Sequence, residues 1–494
     1  MLIYTAVTIA VGLIASPLLE RWLNPDRFGA FRVILDCQGY LALLELGLGG
    51  ALSPILARAL ATRDEQDLQQ AMASALRAYL GVAIATIGLG VLFTPMIHRF
   101  VIGLSPSDII DLRRAWLLGL SGFLALCLVP FRSIVEARQR GYQINLLLIM
   151  QSLLITFVAL PLAHANWGVT GQSLAFVLGN GTFTLIVVAM AVRDRPALLR
   201  AWFVRPDAAM KRTLWGLSAA TFLINLSQRL SLMTDNLVIG AMLGAGSVTT
   251  LFFTQRLVVL AQTLLLGVGG ATWAPLAELH ARGEIETFNR RFLEISRLVA
   301  VLSVASLGPI VAYNRHFVGL WMGTQFAYGG DVIAILSAVI AFLLPQFSLC
   351  GWCFSATGQI RKIVGVSIVA AVVNMAASIG LTHAFGMIGP LLGTLCAFLA
   401  INLWYLPWLL HRVFGTSLQQ LAWAVAAPLA GGLVYTTLLW KIARSHQPWG
   451  RLGLAVEMGV AALGFLALSG SFILLNKNDR TLWRLRLEGM FARG

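Results

Sequence analysis

Long apolar runs alternate with short charged or turn-rich stretches along the whole 494-residue chain. A helix needs about 20 apolar residues to cross a bilayer, and about fourteen runs reach that length. In the first half they cover approximately residues 2–22, 29–55, 73–97, 111–133, 143–163 and 169–192. The second half has 213–242, 248–274, 292–313, 331–355, 363–383 and 387–410, followed by 420–440 and 452–475. Only helices and closed barrels satisfy their backbone inside lipid, and these runs have helix length. The pattern predicts an all-α polytopic membrane protein with about 14 transmembrane helices.

The second half repeats the first. Residues 46–57 read LGLGGALSPILA and residues 266–277 read LGVGGATWAPLA, seven of twelve identical at an offset of 220. The match continues from Ala61 to Ala281 and from Asp64 to Glu284. Six helices per repeat is an even number, so the halves share one orientation and form two parallel six-helix bundles. The expected organisation is an N-terminal bundle over 1–192, a basic cytoplasmic linker over 193–212 and a C-terminal bundle over 213–410. Helices 13 and 14 lie within 411–476, and 477–494 is a basic cytoplasmic tail. An internal repeat of this kind marks a transporter with its working site between two similar halves.

Composition agrees: 58% of residues are hydrophobic, 12% are charged and mean hydropathy is +0.81. The net charge of +15 would suggest nucleic acid in a soluble protein. Here most basic residues flank apolar runs, which points to membrane orientation and to no nucleic-acid partner. Loops after even-numbered segments, with the tail, hold 23 Lys and Arg, against 9 after odd-numbered segments. Both termini are therefore placed in the cytoplasm. Within the linker, Leu198, Leu199, Trp202 and Phe203 suit an amphipathic stretch at the membrane surface, or a plain tether. Residues 2–19 lack a basic leader and an Ala-x-Ala cleavage site, so no cleavable signal peptide is expected. The first run barely spans, and the sequence leaves open whether the native chain begins before Met1.

Little here suggests catalysis or metal binding. The longest loop, 193–212, is too short for a catalytic domain, and outer loops such as 164–168, 241–247 and 383–386 contain no Lys, Arg, Asp or Glu. The seven histidines are scattered at segment ends or in short loops, so no metal site is expected. Cys350 and Cys353 form a lone pair inside an apolar segment, which reads as packing. The chain is read as a non-enzyme without a cofactor.

Four basic residues fall within apolar segments: Arg32, Arg77, Arg229 and Arg256. A charge at membrane depth costs at least about 2.5–3.5 kcal/mol unless it meets a partner or water. Arg32 and Asp36 are four apart, hence on one helical face, with Glu45 further along. Arg229 and Asp235 share the seventh segment with Asn225 and Gln228, and Arg256 follows Gln255 in the eighth. These residues describe a wet, cationic cavity for an anionic group, because a guanidinium fork donates paired hydrogen bonds to phosphate. Arg32, Arg256 and Arg229 are the candidate ligands, lined by Asn225, Gln228 and Gln255. The alternative for Arg32–Asp36 and Arg229–Asp235 is an internal ion pair that locks helices together. Asp36, Asp235 and Glu45 are candidates to take H+ or Na+ for coupling, or to act as counter-charges. Arg77 lies one turn into its segment and is expected to snorkel to the cytoplasmic interface. Gly47, Gly49, Gly267 and Gly269, in the repeated motif, fit close helix packing or a hinge.

Residues 23–31, LNPDRFGAF, and 39–50, GYLALLELGLGG, resemble the first-to-second helix signature of bacterial oligosaccharide flippases. These are polysaccharide transporters of the multidrug/oligosaccharidyl-lipid/polysaccharide exporter superfamily. Residues 235–244, DNLVIGAMLG, with Gln255 and Arg256, resemble the corresponding region of that family's second half. The resemblance implies a V-shaped pair of bundles working by alternating access in the bacterial inner membrane. It also implies a polyprenyl-pyrophosphate-linked oligosaccharide substrate, membrane lipid contacts, and polysaccharide polymerase or export machinery as partners. Helices 13 and 14 would be the family's optional pair, with a side groove for the lipid tail. A lipid II flippase and a cation-coupled multidrug exporter are the alternatives within the superfamily. Cationic drugs would call for an acidic cavity, which Arg32 and Arg256 argue against.

Overall fold

The computed structural model describes residues 2–45, 48–49, 52, 55–56, 59–60, 65–138, 140–204, 226, 234–323 and 328–472. Among them there is no strand. The chain divides into two compact units, Met1–Thr249 with Ser378–Pro390, and Thr250–Ala377 with Leu391–Gly494.

In the first unit, α1 (Leu2–Leu23) is followed at once by α2 (Pro25–Ala42). Asn24 makes the reversal: it takes φ +68° and its side chain accepts from the Arg27 N–H at 3.0 Å, while Pro25 opens the helix. Then come α3 (Glu65–Phe93), α4 (Pro106–Ser121), α5 (Val129–Ala137), α6 (Gly141–His164), α7 (Gly168–Asp194) and α8 (Thr234–Met242). Ser105 caps α4 ahead of Pro106. The α7 N-terminus is capped from a distance, its Val169 and Thr170 N–H groups donating to the Asp111 carboxylate at 2.6 and 3.1 Å. The fourth span is not one helix. Between α4 and α5 the stretch Gly122–Leu128 tightens to a 3-10 helix, ending just before Pro130.

The core of this unit gathers Leu68, Met72, Leu76 and Tyr79 of α3, Phe131 and Ile134 of α5, and Leu198 and Ala201. The last two belong to the linker. Its first part, the 3-10 helix Pro196–Trp202, buries Leu198 and Ala201 and leaves Leu199 and Phe203 exposed. Arg77 does not snorkel freely. Its guanidinium donates to the carbonyls of Val204 (2.6 Å) and Trp202 (3.4 Å), tying the linker to α3.

The start of α9 (Ala245–Gly270) belongs to the first unit and lies against the start of α2. Thr249 Oγ1 donates to the Pro25 carbonyl at 2.6 Å, and a Cβ on Gly29 would collide with the Ala245 carbonyl. Only glycine permits that approach.

In the second unit, α9 continues to α10 (Trp273–Ala281), then α11 (Ile285–Met322) and α12 (Asp331–Ala356). The chain goes on through α13 (Arg361–Phe385) and α14 (Gly389–Ala397), of which Ser378–Pro390 belongs to the first unit, then a π turn at Phe398–Asn402, α15 (Leu403–Phe414), α16 (Leu418–Ser445) and α17 (Gly450–Phe472). The 38-residue α11 is the axis of this unit, packed on by α12, α16 and α17. At 1.5 Å per residue it is about 57 Å long, well beyond a bilayer core of about 30 Å. Its charged ends, with Arg290, Arg291 and Arg315, therefore extend past the apolar run at 292–313. Gly432 of α16 abuts Val304 of α11, and Gly308 of α11 abuts Thr436 of α16.

Eleven described stretches are long and apolar enough to cross a membrane. One of them, Arg361–Phe414, turns at Gly386 (φ +59°) and so holds two of the expected spans. The second and seventh spans lie partly outside the described residues. The protein is a multi-pass, all-helical membrane protein.

Candidate functional site

Of the sequence-derived candidates, Arg229, Asn225, Gln228 and Gly47 lie outside the described residues. The others fall into three places.

The first is the face of α2 that carries Arg32, Asp36 and Tyr40, one turn apart. The first turn of α8 packs there. Asn236 Nδ2 donates to Asp36 Oδ2 at 2.8 Å, and the Tyr40 and Thr234 hydroxyls share a hydrogen bond of 2.8 Å. Asp235 sits between those two contacts, within electrostatic range of Asp36. Its Oδ1 is buried without a hydrogen-bond partner among the described residues. The Arg32 guanidinium lies over the Phe28 ring, 5.0 Å from its centroid. Two carboxylates, an amide and an arginine thus meet on one helix face of the first unit. Arrays of this type hold a cation or proton, or balance an arginine that faces an anion.

Glu45 is elsewhere, about 13 Å further along the same axis. It accepts from Tyr79 Oη of α3 at 2.7 Å. Gly49 makes room for the pair, since a Cβ there would stand 3.1 Å from Glu45 Oε1 and 3.4 Å from Tyr79 Oη.

The third place is on α9 in the second unit. Gln255 Nε2 donates to Ser337 Oγ of α12 at 2.9 Å. The next residue, Arg256, is half-buried and lies over Phe252 at 5.3 Å. Among the described residues it has no carboxylate within 4.0 Å, and its buried Nε has no hydrogen-bond partner. An arginine in that state carries unspent donor capacity suited to an anion. Further along α9, Gly269 is a true close approach, where a Cβ would meet the Trp352 ring of α12 at 2.6 Å. At Gly267 a Cβ would stand in open space.

Sequence reading missed Asn236, Tyr40 and Thr234 as members of the first cluster. The signal was present: Tyr40 is four residues from Asp36, and Thr234 and Asn236 flank Asp235. Also unanticipated is a polar network in the second unit. There Asp331 accepts from Tyr328 Oη and from Arg444, both at 2.6 Å, and Arg444 stacks on Trp440 at 3.7 Å. Among the described residues no group of His, Cys, Asp and Glu is arranged to hold a metal ion.

The fold resembles those of a solved lipid II flippase and of solved MATE transporters. A solved lipid II flippase, MurJ in an inward closed conformation, superposes with a TM-score of 0.73 at 14% identity, over 96% of this chain and 99% of that one. A multidrug resistance MATE transporter in an inward-facing conformation gives 0.62 at 15% identity, over 88% of this chain and 99% of that one. A multidrug resistance MATE transporter in an outward-facing conformation gives 0.57 at 16% identity, over 89% of this chain and 95% of that one. No protein-family model matches the chain, and no curated protein sequence matches it.

Proposed function

We propose that the protein is a flippase that carries a polyprenyl-pyrophosphate-linked oligosaccharide from the cytoplasmic to the outer leaflet by alternating access. The setting would be the bacterial inner membrane, with both termini cytoplasmic, upstream of a polysaccharide polymerase or export machinery. The observation that supports this best is Arg256, a guanidinium on a membrane-spanning helix without a carboxylate partner among the described residues. The cost of such a charge is sensible where an anionic headgroup supplies the missing acceptors. Arg32 and Arg229 are the further headgroup ligands, and Asn225, Gln228 and Gln255 are the polar lining residues. Asp36 and Asp235 take up H+ or Na+ for coupling, or balance Arg32. Glu45, held by Tyr79, joins them as a counter-charge. Gly47, Gly49, Gly267 and Gly269 serve hinge or close-packing roles, of which Gly269 has the packing contact. The signature at 23–50 favours an oligosaccharide over lipid II.

The test is surface-glycan export in a host lacking its own flippase, with membrane levels of the protein measured in parallel. Arg256→Ala should abolish export at normal protein level, and Arg256→Lys should restore part of it, because the fork is lost but the charge is kept. Normal export by Arg256→Ala would overturn the assignment. A second reading, a cation-coupled multidrug exporter, draws on the Asp36–Asp235 array and on the MATE likeness. It requires that cells expressing the protein resist cationic drugs and that Asp36→Asn abolishes the resistance.

A further inference from the structure

The first unit contains a half-open cavity of about 340 Å³, bordered by α2, the broken fourth span and α7. Its size falls in the range of small-ligand pockets, about 300–1,000 Å³. Along α7 it runs from residue 176 to residue 187, about 16 Å at 1.5 Å per residue. The cavity is therefore long as well as apolar. The 3-10 stretch Gly122–Leu128 forms much of one wall.

Two polar groups on the lining are incompletely satisfied. Gln38 is 7% exposed, and its amide nitrogen has no hydrogen-bond partner among the described residues. Bare Gly119 leaves room for that nitrogen, which stands where a Cβ would be. The nitrogen is thus packed against α4 and not open to the cavity, so Gln38 shapes the wall. The second group is Arg132. Its Nε donates to Glu136 Oε1 at 2.8 Å, and its Cζ lies 5.9 Å from the Phe183 ring. Its two terminal nitrogens make no hydrogen bond among the described residues. Asn180, by contrast, is satisfied by Gln151 and the Phe176 carbonyl. No carboxylate lines the cavity.

We propose that this cavity binds the single hydrocarbon chain of an anionic amphiphile, with its oxygen head on the terminal nitrogens of Arg132. Glu136 engages only the Arg132 Nε and lies outside the lining, which leaves the terminal nitrogens for an anionic head, and a bare sugar finds a wall that is mostly hydrocarbon. A free fatty acid and one chain of an anionic phospholipid share the required chemistry. The site is distinct from the Arg32 and Arg256 positions and does not depend on the transport reading.

The experiment uses the full-length protein in phosphatidylcholine nanodiscs with photoreactive palmitate or photoreactive phosphatidylglycerol, and maps the labelled peptides. Labelling should concentrate in 119–132 and 176–187. Labelling by palmitate alone would identify the free acid, and labelling by phosphatidylglycerol the phospholipid chain. Arg132→Gln should lower it at least about tenfold, the loss expected from one charge-assisted hydrogen bond. Arg132→Lys should retain most of it. Thr184→Phe, which fills the cavity from α7 without touching a charge, should abolish it. Three results would overturn the proposal: no label in these segments, equal label in wild type, Arg132→Gln and Thr184→Phe, or better competition by an alkylamine than by palmitate.

Discussion

Replacing Arg256 by leucine should make the protein more stable while disabling it. The usual expectation for a half-buried arginine is the reverse, because most such residues are tied to an acid whose loss leaves a buried charge. Arg256 has no such acid among the described residues, and its neighbours on α9 are Gln255, committed to Ser337, and Phe252 beneath the guanidinium. Insertion of an arginine at the centre of a membrane helix costs about 2.5–3.5 kcal/mol. The ring contact returns about 0.5–2 kcal/mol of that. Because the side chain is only half-buried, water relieves part of the remainder, leaving a net gain of about 1–2 kcal/mol for Arg256→Leu. Leucine is also a good helix former, so no propensity cost intervenes. Denaturant titration in detergent micelles, followed by tryptophan fluorescence, would measure the change, with export assayed on the same variant. A loss of stability of more than about 1 kcal/mol would refute the reasoning, since it would mean that the guanidinium has a structural partner.

Other substitutions test the framework around these sites. Gly29→Val should destabilise the first unit by more than about 3 kcal/mol, because its Cβ meets the Ala245 carbonyl; Gly267→Ala, in open space, should be neutral or slightly stabilising in the same unfolding assay. Asp111→Ala removes the cap on α7 and should cost about 2 kcal/mol, with faster amide exchange at Val169 and Thr170. Arg77→Ala should release the linker, read as faster protease cleavage near residue 204 with little change in global stability.

The helices were legible because each carries its own signal, a run of apolar residues long enough to span. The ends of α11 were not, since its charged flanks continue the helix beyond the apolar run that marks the span. The run 111–133 reads as one span, yet its backbone tightens over Gly122–Leu128, ahead of Pro130, where a cavity opens. The shared face of Arg32 and Asp36 followed from their spacing, and Asp36 then gained Asn236 from α8, a long-range contact that helical periodicity does not encode. Glu45 looked like a continuation of that stripe, but Tyr79, on a different helix, takes its carboxylate. Gly267 and Gly269 are alike in sequence and differ in surroundings, because only one of them faces Trp352. Arg77 illustrates the same limit: its depth in the span was clear, and its partners, the carbonyls of a linker more than a hundred residues away, were not.

The central claim is transbilayer movement of a lipid-pyrophosphate-linked oligosaccharide. It is tested most directly in proteoliposomes carrying H+ and Na+ gradients, with wild type beside Arg32→Ala/Arg256→Ala. The account predicts movement by the wild type that is lost in the double variant. Movement retained in the double variant would contradict the arginine site, and absence of movement by the wild type under both gradients would contradict the flippase itself.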